Sequence, residues 1–277
     1  MKLIARDFVL ITAATTIVAI VTLSVASWRL ALPAVTGMAI VSFLIVLCYR
    51  HLVSLVKTAA TEQTRESLVH YRQLEATIWL SSIVKMKQPP AFMRGMAISP
   101  DFGVLLAQAL FSHRPHTVVE LGCGTSTLLC SYILEQLGGE GHVVSIDHDE
   151  KFAAICRQQL MDHGLEHRAK IYHCPLVSQT VDGVNVQYYD LGRASLPERI
   201  DVLIVDGPPQ WIGRMARYPA LPLLAPLLDP RAIVLIDDAG RPDEKSMVKR
   251  WLTDHPELEE RYEETEKGTA ILRQRQG

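Results

Sequence analysis

The chain has 277 residues, a formal net charge of −2, and hydrophobic residues at 48% of its positions. This length suits one α/β domain with an additional segment, and the apolar fraction is high for a soluble enzyme. The five cysteines are scattered and form no Cys-x-x-Cys pair, which argues against a disulfide framework or a zinc knuckle and suits a reducing compartment.

The apolar excess lies at the N-terminus, in two runs that cover residues 8–28 and 31–49 with Arg29 between them. Each run approaches the ~20 residues that a helix needs to cross the hydrocarbon core of a bilayer. Residues 1–57 are therefore predicted to form a hairpin of two transmembrane helices. A cleaved signal peptide is one alternative, although its apolar part would exceed the usual ~7–15 residues. A helical pair buried in a large soluble core is the other alternative.

The basic residues predict how this hairpin is oriented. Lys2 and Arg6 precede the first run, Arg50 and Lys57 follow the second, and Arg29 alone lies in the turn. Because basic residues favour the cytoplasmic side, both ends of the hairpin are predicted to face the cytoplasm. The rest of the chain would then lie on the cytoplasmic side of the inner (cytoplasmic) membrane.

The remainder of the chain, residues 58–277, holds 23 basic and 29 acidic residues, and this balance argues against a nucleic-acid partner. Its first part, residues 58–98, is predicted to be a linker helix and an approach segment. Residues 58–87 contain no glycine or proline and place apolar residues on one broad helical face, until Pro89 and Pro90 end the helix. That face is predicted to lie against the domain or to join it to the membrane. A homodimer contact is the alternative.

Strands and helices alternate from residue 99 to residue 277, where short apolar runs are separated by glycines and prolines. The predicted strands are Thr117–Leu121, His142–Ile146, Lys170–Cys174, Asp201–Val205 and Ala232–Ile236, with a C-terminal hairpin around Gly268. The predicted helices are about Pro100–Ser112, Thr125–Leu137, Glu150–His163, Ile212–Leu228 and Asp243–Asp254. This order predicts an α/β domain over residues 99–277, with a doubly wound, mostly parallel, seven-stranded Rossmann-like sheet.

The carboxyl ends of the predicted strands carry the residues with functional chemistry, because ligands of such sheets bind there. The first strand runs into Glu120-Leu-Gly-Cys-Gly-Thr-Ser-Thr, in which Gly122 and Gly124 allow a tight turn and a close approach of backbone to ligand. The helix that follows offers backbone N–H groups to an anion. The second strand ends at Asp147, an acid placed to accept both hydroxyl protons of a ribose.

Two nucleoside cofactors fit this arrangement. A dinucleotide such as NAD would require a third glycine at position 127, where the chain has Thr127, and Glu120 would repel its pyrophosphate. S-adenosyl-L-methionine (SAM) has no phosphate, and the same glutamate would attract its methionine ammonium. These residues therefore favour SAM over NAD, with a purely structural turn between strand and helix as the remaining alternative.

Four motifs in this order and spacing resemble the class I SAM-dependent methyltransferases. They are Glu120–Thr127, Val143–Asp149, Asp201–Pro209 and Ile233–Asp238. The resemblance covers about residues 68–275 and is closest to methyltransferase family 24 and to small-molecule O-methyltransferases. It implies that Glu120, Gly122 and Gly124 line the methionine end of SAM and that Asp147 holds its ribose. The predicted cofactor-binding set is Glu120, Gly122, Cys123, Gly124, Ser126, Asp147 and His148.

Some of the singled-out residues have a second interpretation. Ser126 stands where the family often has a third glycine, which makes the motif less specific. His148 would reach the adenine or would be a solvated histidine in a turn. Two groups near the fourth strand either border the acceptor pocket or pack: Tyr188, Tyr189 and Asp190 before it, and Trp211, Arg217 and Tyr218 after it.

Three carboxylates end the fourth and fifth strands: Asp206, Asp237 and Asp238. At adjacent strand ends they would repel one another unless a cation or a proton lies between them. The resemblance extends to catechol-type O-methyltransferases, in which an Asp and an Asp-Asn pair hold Mg²⁺; here Asp238 replaces the Asn. All three acids are therefore predicted as catalytic residues and as ligands of Mg²⁺ or another divalent cation that prefers oxygen. The alternative is that they cap turns and helices.

The sequence thus predicts a membrane-anchored SAM-dependent methyltransferase. Its acceptor would be a hydroxyl group on a small molecule, a glycan or a lipid-linked compound. Three alternatives stay open: a different transfer on the same fold, such as aminopropyl transfer; an NAD-linked oxidoreductase; and a non-catalytic membrane scaffold. The acids at four strand ends argue against the scaffold.

Overall fold

The computed structural model describes residues 13–21, 24, 28–90 and 93–275, without the side chains of residues 28–31. The chain divides into two compact units, Met1–Leu68 and Val69–Gly277. Each unit is described by itself.

The N-terminal unit is helical wherever it is described. Residues 13–21 and 24 are helical, and helix α1 runs over Trp28–Ile83. Among the described residues, one helix is long and apolar enough to cross a membrane: its part Leu32–Ile83 has a window of mean hydropathy 2.2, none of it buried. The second predicted span lies within α1.

Two predicted boundaries in this region differ from the structure. Arg29, the predicted turn between the spans, lies inside α1, because neither it nor its neighbours disfavour a helix. The boundary predicted at residue 57 also falls inside α1, since the chain has no helix breaker there. Of the first predicted span, residues 8–28, residues 8–12, 22–23 and 25–27 lie outside the described residues, and residues 13–21 and 24 are helical.

The last part of α1 packs in the second unit, but with a different face from the predicted one. Ala76 and Leu80 are buried, and the Gln73 side chain donates a 2.7 Å hydrogen bond to Asp101. Most of the predicted apolar face, including Leu74 and Ile78, is exposed, although Ile83 and Met86 at its end pack against the core. The buried face combines the polar Gln73, the small Ala76 and the apolar Leu80, so the most apolar face did not identify it.

The second unit contains the predicted sheet of seven strands, in the order β3-β2-β1-β6-β7-β9-β8. The strands are β1 Thr117–Leu121, β2 His142–Asp147, β3 Ala169–His173, β4 Leu176–Val181, β5 Val184–Tyr189, β6 Ile200–Val205, β7 Leu228–Ile236, β8 Leu258–Glu263 and β9 Thr269–Gln274. The helices are α2 Pro100–His113, α3 Thr125–Leu137, α4 Glu150–His163, α5 Ala220–Leu224 and α6 Pro242–Asp254. All pairs from β3 to β7 are parallel, and β9 is antiparallel to both of its neighbours. The mostly parallel, doubly wound sheet is therefore confirmed.

Two segments differ from the predicted order. The polar stretch before β6 forms a separate two-stranded sheet, β4 with β5. The predicted helix Ile212–Leu228 is wrong: only α5 and short 3₁₀ turns on either side of it are helical. Pro219, Pro222 and Pro226 explain this, because each proline lacks the N–H that a continuous helix would use.

The core lies on both faces of the sheet. Every residue of β1 is buried, and successive residues of β1 and β6 face opposite sides: Val118 and Val202 pack under α2 and α3, while Val119 and Leu203 pack with Trp251 of α6. In register, Leu121 pairs with Ile146 and with Val205. The strands therefore end at one level, and the residues just after them meet at one edge.

Candidate active site

A cavity of about 570 Å³ lies at the carboxyl ends of β1, β2 and β6. This volume is within the range of about 300–1,000 Å³ found for small-molecule sites. The predicted residues that line it are Gly122, Cys123, Gly124, Ser126, Asp147, His148, Asp206 and Asp238. Glu120 and Asp237 are not among its lining residues. Most of the predicted set is thus brought to one cavity.

A larger cavity, about 1180 Å³, lies at the opposite edge of the sheet. It is lined by the segment that precedes β1, including Arg114, by the first part of β7, including Arg231, and by the end of β9. None of the predicted site residues lines it. Ligands of parallel sheets bind at the carboxyl ends of the strands, so the smaller cavity is the candidate active site.

The turn after β1 depends on Gly122. Its φ is +97°, a backbone conformation that L side chains rarely adopt, and a Cβ added there would lie 3.2 Å from the backbone of Asp206 and of Gly207. Gly124, in contrast, has open space around such a Cβ. Gly122 therefore lets the turns after β1 and β6 touch, which brings the two sides of the cavity together.

Asp147 is held in its ionised form at the wall of the cavity. One carboxylate oxygen accepts a 3.0 Å hydrogen bond from the Cys123 backbone N–H, and the other accepts one of 2.9 Å from Asp149. The His148 ring nitrogen Nδ1 lies 3.3 Å from the same carboxylate. Burial raises the pKa of Asp147, but these hydrogen bonds together hold the pKa below its usual value. An ionised carboxylate at this place suits a ribose diol.

Glu120 lies behind the glycine turn and is fully buried. Its Oε2 accepts hydrogen bonds from Thr127 and, at 2.8 Å, from Ser145. Burial raises the pKa of Glu120 to about 7, against the opposing effect of hydrogen bonds from neighbouring hydroxyl groups. Glu120 therefore ties the turn to β2, and its contact with a methionine ammonium stays a prediction.

The three acids Asp206, Asp237 and Asp238 converge, with one oxygen of each within 4.8 Å of the others. Asp237 and Asp238 are buried, and the Asp206 side chain is 13% exposed. Burial, followed by repulsion from Asp237, raises the pKa of Asp206 well above its usual value. Burial is also the main reason why the pKa of Asp237 is raised. The cluster therefore brings together three acidic groups, and nearby positive charge would stabilise their ionised forms.

The Arg217 guanidinium provides positive charge inside this cluster. Its Nη2 donates hydrogen bonds to Asp238 at 2.8 Å and to Asp206 at 3.3 Å. Its Nη1 donates to the backbone oxygen of Asp237 at 2.9 Å, and its Nε to that of Pro208 at 3.3 Å. The side chain is only 4% exposed. Arg217 is therefore a fixed part of the site.

Two more cations adjoin the acids. Lys267 Nζ lies 3.4 Å from Asp237 Oδ2 and donates a 2.9 Å hydrogen bond to the backbone oxygen of Ala97. Arg241 Nη1 lies 2.8 Å from Asp238 Oδ2. Neither residue could be assigned to the site from the sequence, because a lysine in a hairpin turn and an arginine before a helix carry no pattern that indicates a site.

A divalent cation fits this cluster poorly. Mg²⁺ requires about six oxygen ligands at about 2.0–2.1 Å, and Ca²⁺ needs six to eight at about 2.3–2.6 Å. The inner carboxylate oxygens of Asp206 and Asp238 already face the Arg217 guanidinium. Asp237 Oδ1 and Asp238 Oδ1 are buried and have no hydrogen-bond partner among the described residues. A cation bound by the three acids would therefore have to share the cluster with the Arg217 guanidinium, whose charge would repel it.

The remaining wall of the cavity contains apolar and aromatic groups. Tyr189 is buried and lines the cavity, and its hydroxyl has no hydrogen-bond partner in the described part of the chain. Its neighbour Tyr188 is equally buried but packs in the core, as does Tyr218, whereas Asp190 is partly exposed and pairs with Arg193; none of these three lines the cavity. Trp211 lines the cavity and is 71% exposed. Of the six residues near the fourth strand that had two interpretations, three therefore line the cavity: Tyr189, Trp211 and Arg217.

Comparisons with known proteins agree with this geometry. Residues 119–239 match the model of a family described as a methyltransferase domain. A search of the curated proteins found no match to the chain.

Solved structures share the fold. A SAH-bound methyltransferase from Podospora anserina is 16% identical, with a TM-score of 0.52, over 78% of this chain and 97% of that one. The O-methyltransferase TomG from Streptomyces achromogenes, involved in tomaymycin synthesis and solved with SAM, is 16% identical, with a TM-score of 0.52, over 73% and 96%. An O-methyltransferase from Bacillus cereus, solved with SAH, is 14% identical, with a TM-score of 0.51, over 73% and 90%. The second unit of the chain therefore has the fold of these SAM- and SAH-bound methyltransferases, and residues 119–239 within it match the methyltransferase-domain family.

Proposed function

We propose that the chain transfers the methyl group of SAM to a hydroxyl oxygen of an acceptor. The observation that carries this proposal is one cavity that joins the ionised Asp147 at the end of β2 to Asp206, the residue after β6. A ribose bound at Asp147 places the methionine part of the cofactor along the turn from Gly122 to Gly124, because these are consecutive strand ends of one sheet. The transferable methyl group would then lie beside the acidic cluster.

The transfer needs alignment and a proton acceptor. The acceptor oxygen attacks the methyl carbon, the carbon–sulfur bond breaks with its electron pair moving to sulfur, and the hydroxyl proton leaves. Alignment of these atoms lowers the barrier by up to about 7–11 kcal/mol. Asp206 is the proposed proton acceptor, since it lines the cavity, is partly exposed, and has a raised pKa that makes it a stronger base.

A titration of the full chain, solubilised in detergent, tests the choice of cofactor. We expect saturable binding of SAM and no binding of NAD⁺, because Glu120 and Thr127 disfavour a pyrophosphate at this turn. Binding of NAD⁺ without SAM would support the oxidoreductase instead, and binding of neither would support a non-catalytic scaffold. Incubation with radiolabelled SAM and a panel of hydroxylated acceptors then separates methyl transfer from aminopropyl transfer by the group that appears on the product.

The proposal includes a membrane anchor formed by α1 together with the apolar residues 8–28. Exposed apolar side chains such as Ile40, Phe43 and Leu44 support it, since a bilayer would cover them. Arg50 and Lys57 follow the apolar part of α1 and favour the cytoplasmic side. This arrangement puts the methyltransferase domain in the compartment where SAM is made.

Reporter fusions made directly after Lys57 test this topology. We expect activity from a reporter that works only in the cytoplasm and none from a reporter that works only outside it. The expected result is the same for one span with an external N-terminus and for two spans, so a second fusion at residue 2 distinguishes them. An external reporter that is active after Lys57 would reverse the proposed orientation.

The rim of the cavity favours an acceptor with an apolar part. Met96 and Trp211 line the cavity, yet 70% and 71% of their respective surfaces are exposed. A lipid-linked glycan or a hydrophobic small molecule would cover such residues at the rim, while its hydroxyl group reached Asp206. Among the predicted acceptor classes, we therefore favour the lipid-linked one.

A further inference from the structure

We infer that the acidic cluster takes its counter-charge from Arg217 and Lys267, and that the protein binds no divalent cation there. Related catechol-type enzymes use a metal at these strand ends. In this chain the equivalent acids surround a side chain that carries its own fixed positive charge. The inference rests on the proposed methyl transfer only for its kinetic test.

The first argument is competition for the same oxygen atoms. A bridging cation would bind the oxygens of Asp206 and Asp238 that face each other. Arg217 Nη2 lies between them, 3.3 Å from Asp206 Oδ1 and 2.8 Å from Asp238 Oδ2. An ion in ligand contact with these oxygens would overlap the guanidinium and be repelled by its charge.

The second argument is that Arg217 cannot easily leave. Hydrogen bonds to the backbone oxygens of Pro208 and Asp237 hold the guanidinium from two sides. These oxygens belong to the turns after β6 and β7, so the arginine also connects the two strand ends. Removing it from the cluster would leave these buried acceptors without donors, which is unfavourable.

The third argument is the identity of residue 238. Asp238 Oδ2 lies 2.8 Å from Arg217 Nη2 and 2.8 Å from Arg241 Nη1. An asparagine would place a neutral amide between two guanidinium groups and could turn its NH₂ toward them. An aspartate at this position therefore matches the arginines, and its extra negative charge is balanced without a metal.

Mn²⁺ binding to the full chain provides a direct test, because Mn²⁺ prefers oxygen ligands and is detected by its paramagnetism. We expect wild-type protein to show no saturable Mn²⁺ binding. Arg217→Met removes the charge while keeping an extended side chain, and we expect it to gain Mn²⁺ binding that Asp206→Asn in the same chain abolishes. Arg214→Met is the matched control, since Arg214 is exposed, and we expect it to behave as wild type.

Two further measurements keep the test decisive where Arg217→Met does not fold. Arg217→Lys retains a cation, and we expect it to bind SAM and to bind no Mn²⁺. In the kinetic measurement, EDTA should leave the methyl transfer of wild-type protein unchanged. Saturable Mn²⁺ binding by wild type that Asp206→Asn removes, or loss of activity in EDTA that Mg²⁺ restores, would overturn the inference. Absence of SAM binding would instead count against the proposed function.

Discussion

Replacing Asp147 with alanine is expected to lower the affinity of the protein for SAM by roughly 5- to 150-fold, which corresponds to about 1–3 kcal/mol. The carboxylate is held ionised on the cavity wall, and its removal leaves the ribose hydroxyls without an acceptor. The same carboxylate also accepts the backbone N–H of Cys123, so the glycine turn becomes less well ordered. Isothermal titration of the full chain with SAM measures both effects together.

Two variants separate these effects. Asp147→Asn keeps one acceptor oxygen and the shape of the side chain, so its loss of affinity should be smaller than that of Asp147→Ala. Asp162→Asn changes an exposed acid on α4 and should bind SAM like wild type. Thermal unfolding identifies variants that have lost the fold. A folded Asp147→Ala protein with wild-type affinity would remove the assignment of the ribose site.

Replacing Asp206 with asparagine is expected to lower the rate of methyl transfer by about 10²- to 10⁴-fold, the usual contribution of a general base. The affinity for SAM should change little, because Asp206 lies on the acceptor side of the cavity. Asp243→Asn serves as the control, since Asp243 lies on α6 outside the cavity lining.

The pH profile supplies a second readout for Asp206. The group accepts a proton only when it is ionised, so the rate should fall as pH decreases through its pKa in the folded protein. Burial and the neighbouring Asp237 raise that pKa, and the acidic limb should therefore lie above the ordinary aspartate value of 3.8. Asp206→Asn should lose this limb. An unchanged rate and an unchanged limb would place the proton acceptor elsewhere.

The sheet could be predicted because its signals are local. Each of β1, β2 and β6 is a short apolar run closed by an acid or a glycine, and parallel strands of equal length end at one edge. The convergence of Asp147 and Asp206 on one cavity follows from that arrangement. The error at residues 212–228 had a local signal too, because three prolines in that segment exclude a continuous helix.

The cationic part of the site could not be predicted in the same way. Arg217 was predicted either to border the pocket or to pack, but its ion pairs with the acids, like those of Lys267 in the β8–β9 turn, were not predicted, because sequence separation does not indicate which side chain fills a gap between strand ends. The sequence also did not predict which of Tyr188 and Tyr189 lines the cavity. Neighbouring residues of a strand face opposite sides, but only the placement of the inserted hairpin decides which tyrosine meets the cavity.

The buried Glu120 carboxyl gains or loses a proton near neutral pH. With a pKa of about 7, this carboxyl is protonated in a substantial fraction of molecules at neutral pH, and it responds to the charge of Asp147. SAM carries a sulfonium charge that would favour the ionised form, so we expect its binding to release part of a proton, whereas SAH lacks that charge. By linkage, we expect SAM to compete better against SAH as pH rises through neutrality, a trend that competition binding at several pH values would measure.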